Sequence, residues 1–278
     1  MAEKRMSIAE HLSELRERLV ICIVAALLGM IVAYVYCPDV FYPMIRAPLD
    51  VIQGTESDNP FVLRTPLLDL LAKRSAEKAH PEPGDIRPPA SQLHYLSLTA
   101  PFIMRLKVSM IAGIILAFPV IVYEMWAFVS AGLLERERRY VYLCGPASFF
   151  LFLVGAALAY FVVLPIGVSF LLEQGEVFGL RAVLTINEYI PFVMWLLLGF
   201  GIIFQTPLVI LFLTKLGLVG PTGLAKARRY AILGMFIVAA VITPPDPFTQ
   251  IAMALPMMSL YELSIVLSRI VVRRRNAA

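Results

Sequence analysis

The sequence predicts an all-α integral membrane protein with six transmembrane helices and both termini inside. Three observations carry that reading. The 278 residues are 59% hydrophobic, with mean hydropathy +0.79 and 16% charged residues, where soluble domains carry about 25% charge. The apolar residues gather into runs near the ~20 residues that cross a bilayer core. The basic residues collect on alternate connections between those runs.

The elements follow in order, within a single membrane domain over 1–278. Ser7-Ile8-Ala9-Glu10 fits a capping box, in which serine and glutamate satisfy each other's orphan amides. Ile8, Leu12, Leu15 and Leu19 then recur at helical spacing, which predicts an amphipathic lead-in helix lying at the membrane surface. Its polar face carries His11, Glu14 and Arg18, and the i,i+4 spacing predicts an ion pair between the last two. The first span covers 19–36. A long outer loop covers 38–103, polar over 50–60 and rich in Pro, Glu and Lys over 77–90. Within it Thr65-Pro66-Leu67 reads as an N-cap with proline at the first helical position. That predicts a short helix through Leu67, Leu68, Leu70 and Leu71, then disorder. The second span covers 106–128. The third covers 140–164 and ends at Pro165, and a second outer loop covers 166–188. The fourth covers 190–213. The last apolar region is cut by Thr243-Pro244-Pro245-Asp246-Pro247, leaving a short hairpin of spans at 230–242 and 248–267 that thins the bilayer or sits beneath a polar cavity.

Charge placement orients the chain. The N-terminus holds Lys4, Arg5, Arg16 and Arg18, the 2–3 connection three arginines, the 4–5 connection Lys215, Lys226, Arg228 and Arg229. The tail holds Arg269, Arg273, Arg274 and Arg275, whereas the 3–4 loop has only Arg181 and the 5–6 turn no basic residue. Both termini therefore belong inside. The first apolar run leads into Pro38-Asp39 rather than a small-x-small site, so it stays as a span.

Several chemistries find no support. Cys22, Cys37 and Cys144 stand singly, as structural thiols, and the three histidines form no ligand cluster. There is no P-loop, HExxH or GxSxG, so the reading is not an enzyme and takes no metal or cofactor. Polar groups inside spans are few, and such groups default to functional hypotheses. Glu124 near the inner end of span 2 can reach the headgroups. Gln205, two residues before Pro207, can bond a carbonyl freed by the proline or dock a polar residue of a partner helix.

The 2–3 connection, Glu135-Arg136-Glu137-Arg138-Arg139, sets carboxylates among arginines. A carboxylate accepts paired hydrogen bonds from a planar guanidinium, yet on the residues alone Glu137 is a solvated charge paired with its neighbours.

His11-Leu12-Ser13-Glu14-Leu15-Arg16-Glu17-Arg18-Leu19 closely resembles the HLxELRxRL signature before the first span of TatC, the polytopic component of the twin-arginine protein translocase. The resemblance continues through Ala47-Pro48-Leu49, Phe128 with Glu137-Arg138-Arg139, Ala159-Tyr160-Phe161-Val162-Val163 and Thr243-Pro244-Pro245-Asp246, in family order. It implies a glove-shaped bundle with a concave face. The implied function is recognition of twin-arginine signal peptides and export of folded proteins with TatA- and TatB-like single-span subunits, driven by the proton-motive force from the bacterial inner membrane. Glu14 and Glu137 are then the acceptors for the arginine pair, steadied by Arg16 and Arg138, with Phe128 beneath. Pro48 and Asp246 shape the outer cap. Thr243, Gln250 and Gln205 receive partner helices, and Tyr160 lines the concave face. Self-association and the lipid bilayer complete the implied partners, with no nucleic acid. Two departures stand out: Gln205 replaces a glutamate frequent in the family, and a stretch within 54–95 is inserted relative to shorter members. The alternatives are a secondary transporter, which should show internal repeats, and a scaffold that binds no signal peptide.

Overall fold

A computed structural model of the chain describes residues 8–52, 93–133, 135–177, 184–242 and 247–277. The structure is helical nearly throughout. α1 (Ile8–Tyr36) passes through a π-helical turn (Cys37–Phe41) into α2 (Tyr42–Ile52). α3 spans Ala100–Ala131, and α4 (Glu135–Leu158) runs through a second π turn (Ala159–Val163) into α5 (Leu164–Val177). α6 (Ile186–Ile203), α7 (Thr206–Lys215), α8 (Pro221–Ile242) and α9 (Pro247–Ala277) complete the order. Five stretches are long and apolar enough to cross a membrane: His11–Asp50, Ala100–Ala131, Cys144–Gln174, Ile186–Lys215 and Pro247–Arg273. α8 is not among them. Lys226, Arg228 and Arg229 occupy its first half, so only its remainder is apolar, as a shortened hairpin requires.

Three expectations change on contact with the structure. No surface-lying lead-in exists as a separate element, because α1 runs unbroken from Ile8 to Tyr36. No proline stands in that run, and its one glycine, Gly29, leaves the backbone ladder intact. The third helix does not end at Pro165 either. The amide of Leu164 bonds back to the carbonyl of Ala159 across the π turn, which restarts the helix and leaves Pro165 in a first turn, where its missing N–H is not required. The fourth span, read as continuous, breaks instead at Phe204–Gln205 before Pro207. The helix proposed after Pro66 lies outside the described residues.

α6 is the central helix. Its side chains Val193, Leu196 and Phe200 are fully buried, and half of the α6–α7 apolar window is buried against 6% of that of α1. Among the described residues α1 packs chiefly on α3 and turns Leu19, Val24, Leu27, Ile31 and Val35 outward, where lipid replaces water as solvent. The α1–α3 contact is a backbone approach at Gly29 and Gly113, where a Cβ on either would collide with the opposing main chain. Small residues permit that closeness in membranes, where packing rather than water exclusion drives association. Arg105 closes the other end of the pair, donating to the Tyr34 carbonyl at 2.8 Å and lying 4.1 Å over its ring.

Contacts sort the connections by end. His11 lies on Phe128, Trp126 meets Phe212 with ring centroids 4.9 Å apart, and the hydroxyls of Thr214 and Ser268 are 3.0 Å apart. The start of α1, the α3–α4 and α7–α8 connections and the last turns of α9 thus share one end, the basic end. α2 and the α5–α6 connection lie at the far end, where the amide of His94 donates to Leu184 and the amide of Ile186 to His94.

Candidate functional site

The basic end gathers His11, Glu14, Arg18, Glu124 and Phe128 around the meeting of α1 and α3. His11, Glu14 and Arg18 recur every three or four residues and therefore share one face of α1, the face turned to α3. Arg18 donates to Glu14 Oε1 from Nε at 3.0 Å and from Nη2 at 2.5 Å, and to Glu124 Oε2 from Nη1 at 2.9 Å. The i,i+4 pair expected from spacing is present, and it is one half of a bridge to α3. Glu124 does not reach outward for headgroups: it is 9% exposed and faces α1. Ahead of Glu14 by one turn, the His11 ring stacks on Phe128 at 4.3 Å and 15°.

One atom of this cluster has nothing to accept. Glu14 Oε2 is buried and without a hydrogen-bond partner among the described residues, as is His11 Nδ1. A buried carboxylate oxygen left unpaired costs roughly 1–3 kcal/mol or more, so such atoms mark places where a donor belongs. Chemically, the cluster offers a half-occupied carboxylate, with an aromatic stack one helical turn away.

Arg16 does not steady Glu14. Two residues on, it points about 200° round the helix and is exposed, and the role falls to Arg18. Glu137 and Arg138 lie in the first turns of α4, but their side chains lie outside the described residues. α4 nevertheless begins four residues after α3 ends, so its first turn stands over the same end of the bundle.

The other predicted positions are placed elsewhere. Gln205 sits in the α6–α7 break, where its Nε2 donates to the carbonyls of Ser148 (2.9 Å) and Gly201 (3.3 Å). Gly201 is left short by the break, because the Gln205 amide bonds to Ile202 instead. Gln205 Oε1 is buried with no partner among the described residues. Gln250 donates to the Phe236 carbonyl at 3.0 Å, tying α9 to α8. Thr243 and Asp246 lie outside the described residues.

Pro48 and Tyr160 prove to be one arrangement. Pro48 is buried inside α2 rather than in a turn, and its missing N–H frees the carbonyl of Met44. The Tyr160 hydroxyl donates to that carbonyl at 2.7 Å, and Tyr189 donates to the next, Ile45, at 3.0 Å. Tyr160 is thus buried against α2. Arg46 and Asp50 pair at 2.9 Å on the same helix.

Sequence reasoning missed the bridge to Glu124 and the His11–Phe128 stack. The signal was present in part, since a carboxylate in a span has to find a cation. Its partner, 106 residues away, was not readable. Among the described residues no group of His, Cys, Asp or Glu could hold a metal ion.

The family model for the Sec-independent protein translocase protein (TatC) matches residues 10–256. The chain is 36% identical over 275 residues to the TatC protein of Desulforapulum autotrophicum, covering 99% of this chain and 88% of that one. It is 34% identical to TatCy of Bacillus subtilis, covering 99% and 93%, and 32% identical to TatC of Escherichia coli K12, covering 96% and 90%. A crystal structure described as the twin arginine translocase receptor TatC superposes with a TM-score of 0.76 at 34% identity, covering 95% of this chain and all of that one. A second, of the same receptor in DDM, gives 0.74 over 93% and 99%.

Proposed function

The chain belongs to the TatC family of Sec-independent protein translocase components, multi-pass membrane proteins of protein transport rather than enzymes, and we propose that it is the translocase's receptor for twin-arginine signal peptides. The observation that carries the proposal is the half-occupied carboxylate of Glu14. One oxygen is held by Arg18, and the other is buried and unpartnered among the described residues, with the His11–Phe128 stack one helical turn away.

A guanidinium fits that vacancy better than an ammonium. It presents parallel N–H groups to a carboxylate and is more weakly hydrated, so it loses less on leaving water. Glu137, in the first turn of α4, supplies the acceptor for the second arginine, with Arg138 beside it and Phe128 as the floor between. The basic end is cytoplasmic, in the bacterial inner membrane, and the far end with Pro48, Asp246 and the α8–α9 turn faces outward. Gln205, with its unpartnered Oε1, and Gln250 and Thr243 near the hairpin receive the single helices of TatA- and TatB-type subunits, and the proton-motive force drives transport of the folded cargo.

Site-specific crosslinking of the purified protein to a signal peptide, from probes beside Glu14 and Glu137, tests the receptor reading. Crosslinks to a twin-arginine peptide are expected, with loss on Glu14→Ala or Glu137→Ala and little signal from a twin-lysine peptide. Equal signal from both peptides returns the carboxylates to ordinary surface ion pairs.

A further inference from the structure

Arg18 is itself a guanidinium, and it is seated on the carboxylate that is to receive one. It spends two N–H groups on Glu14 and one on Glu124. Among the described residues, no other cation pairs with either carboxylate. Among the described residues, two carboxylates therefore share the charge of Arg18 alone, one guanidinium fewer than the pair would match. Glu124 also needs a reason to be where it is. A buried carboxylate in a membrane span is expensive, and the fold could tie α1 to α3 through the Gly29–Gly113 contact without it.

Resting on the reading of Glu14 as a signal-peptide acceptor, we infer that Arg18 is an internal stand-in for the incoming arginine, and that Glu124 is the carboxylate which takes Arg18 over. In the empty site Arg18 keeps Glu14 from standing unpaired in a poorly solvated place. When a peptide guanidinium arrives, Arg18 releases its Nε and Nη2 bonds to Glu14 and turns wholly onto Glu124, to which Nη1 already points. Each carboxylate then holds one guanidinium, and the missing charge is supplied by the peptide. The exchange also discriminates. A competitor must replace two N–H bonds from one planar group, which a guanidinium does and an ammonium, a compact point charge, does poorly. Specificity then comes partly from what must be displaced, not only from what is gained.

The test is a binding cycle on the full chain in nanodiscs, with fluorophore-labelled twin-arginine and twin-lysine peptides. Glu124→Gln leaves Arg18 nowhere to go and is expected to weaken the twin-arginine peptide about ten-fold, the scale of one charge-assisted hydrogen bond. Arg18→Gln removes the stand-in, so the twin-lysine peptide should gain and the preference narrow. The double variant, with no competitor and one carboxylate free, should recover most of what Glu124→Gln lost. Arg18→Lys, which keeps the charge and removes the fork, should also narrow the preference and serves if Arg18→Gln does not assemble. A Glu124→Gln variant that binds like the parent, a double variant as weak as Glu124→Gln, or an unchanged preference without Arg18 overturns the inference. Glu14→Gln separates the two readings. Full binding without the Glu14 carboxylate sinks the receptor assignment itself, whereas lost binding with additive Arg18 and Glu124 effects removes only the stand-in.

Discussion

Replacing Tyr160 by phenylalanine should destabilise the protein only as long as Pro48 is present. The Tyr160 hydroxyl reaches the Met44 carbonyl at 2.7 Å, and that carbonyl is available because Pro48, four residues on, has no N–H to give it. Tyr160→Phe keeps the ring, and its edge contact with Phe161 at 4.9 Å, and deletes only the donor. A neutral hydrogen bond contributes about 0.5–1.5 kcal/mol net, and a stranded buried acceptor costs about 1–3 kcal/mol. Couplings measured inside membranes run lower, about 0.6 kcal/mol on average. The Met44 bond is only partly buried, so a loss of about 1–1.5 kcal/mol is expected, or some 2–5 °C in detergent melting. In a Pro48→Ala background the new amide of residue 48 can take the Met44 carbonyl as any helix does, and Tyr160→Phe should then cost a few tenths of a kcal/mol. The assay is a double-mutant cycle of melting temperatures on purified protein. Equal losses in both backgrounds would refute the claim that the tyrosine answers the proline.

Two further outcomes follow from the same geometry. Gly113→Ala should cost about 1–3 kcal/mol of stability, because its Cβ meets the main chain of Met30 and backbone cannot yield as a side chain would. Gly234→Ala has open space and should be neutral or gain up to ~1 kcal/mol from helix propensity, and melting both variants side by side checks the contrast. Gln205→Glu keeps the size of the side chain and removes the amide that donates to Ser148 and Gly201. A carboxylate there faces two carbonyl oxygens with no proton to give, so a loss of about 1–3 kcal/mol of stability is expected. Melting of the variant beside the parent checks it, and a variant as stable as the parent would remove the argument.

Apolar length and basic flanks depend on local composition, and bilayer thickness converts them directly into spans. The five stretches long and apolar enough to cross a membrane could therefore be located along the chain. Helix continuity was less legible. Pro165 reads as a terminator in one dimension, yet the π turn at Ala159–Val163 resets the ladder so that the proline falls in a first turn. The break at Phe204–Gln205 is the opposite case, where Pro207 ends a run that composition would continue. The site divides in the same way. The Glu14–Arg18 pair is a matter of spacing on one helix, and spacing supplied it. That the same arginine also reaches Glu124 depends on α1 lying against α3.

The sequence by itself determined that this is a six-helix membrane protein of the TatC family, because hydropathy, charge asymmetry and short motifs are properties of neighbouring residues. Only the tertiary structure decided which groups are spent and which are left over. Arg18 rather than Arg16 holds Glu14, Tyr160 answers Pro48, and Oε2 of Glu14 is one of the atoms left without a partner among the described residues. The physical reason is that a hydrogen bond is made between atoms within about 3 Å of each other, and distance across the bundle is set by how helices pack, not by their order along the chain.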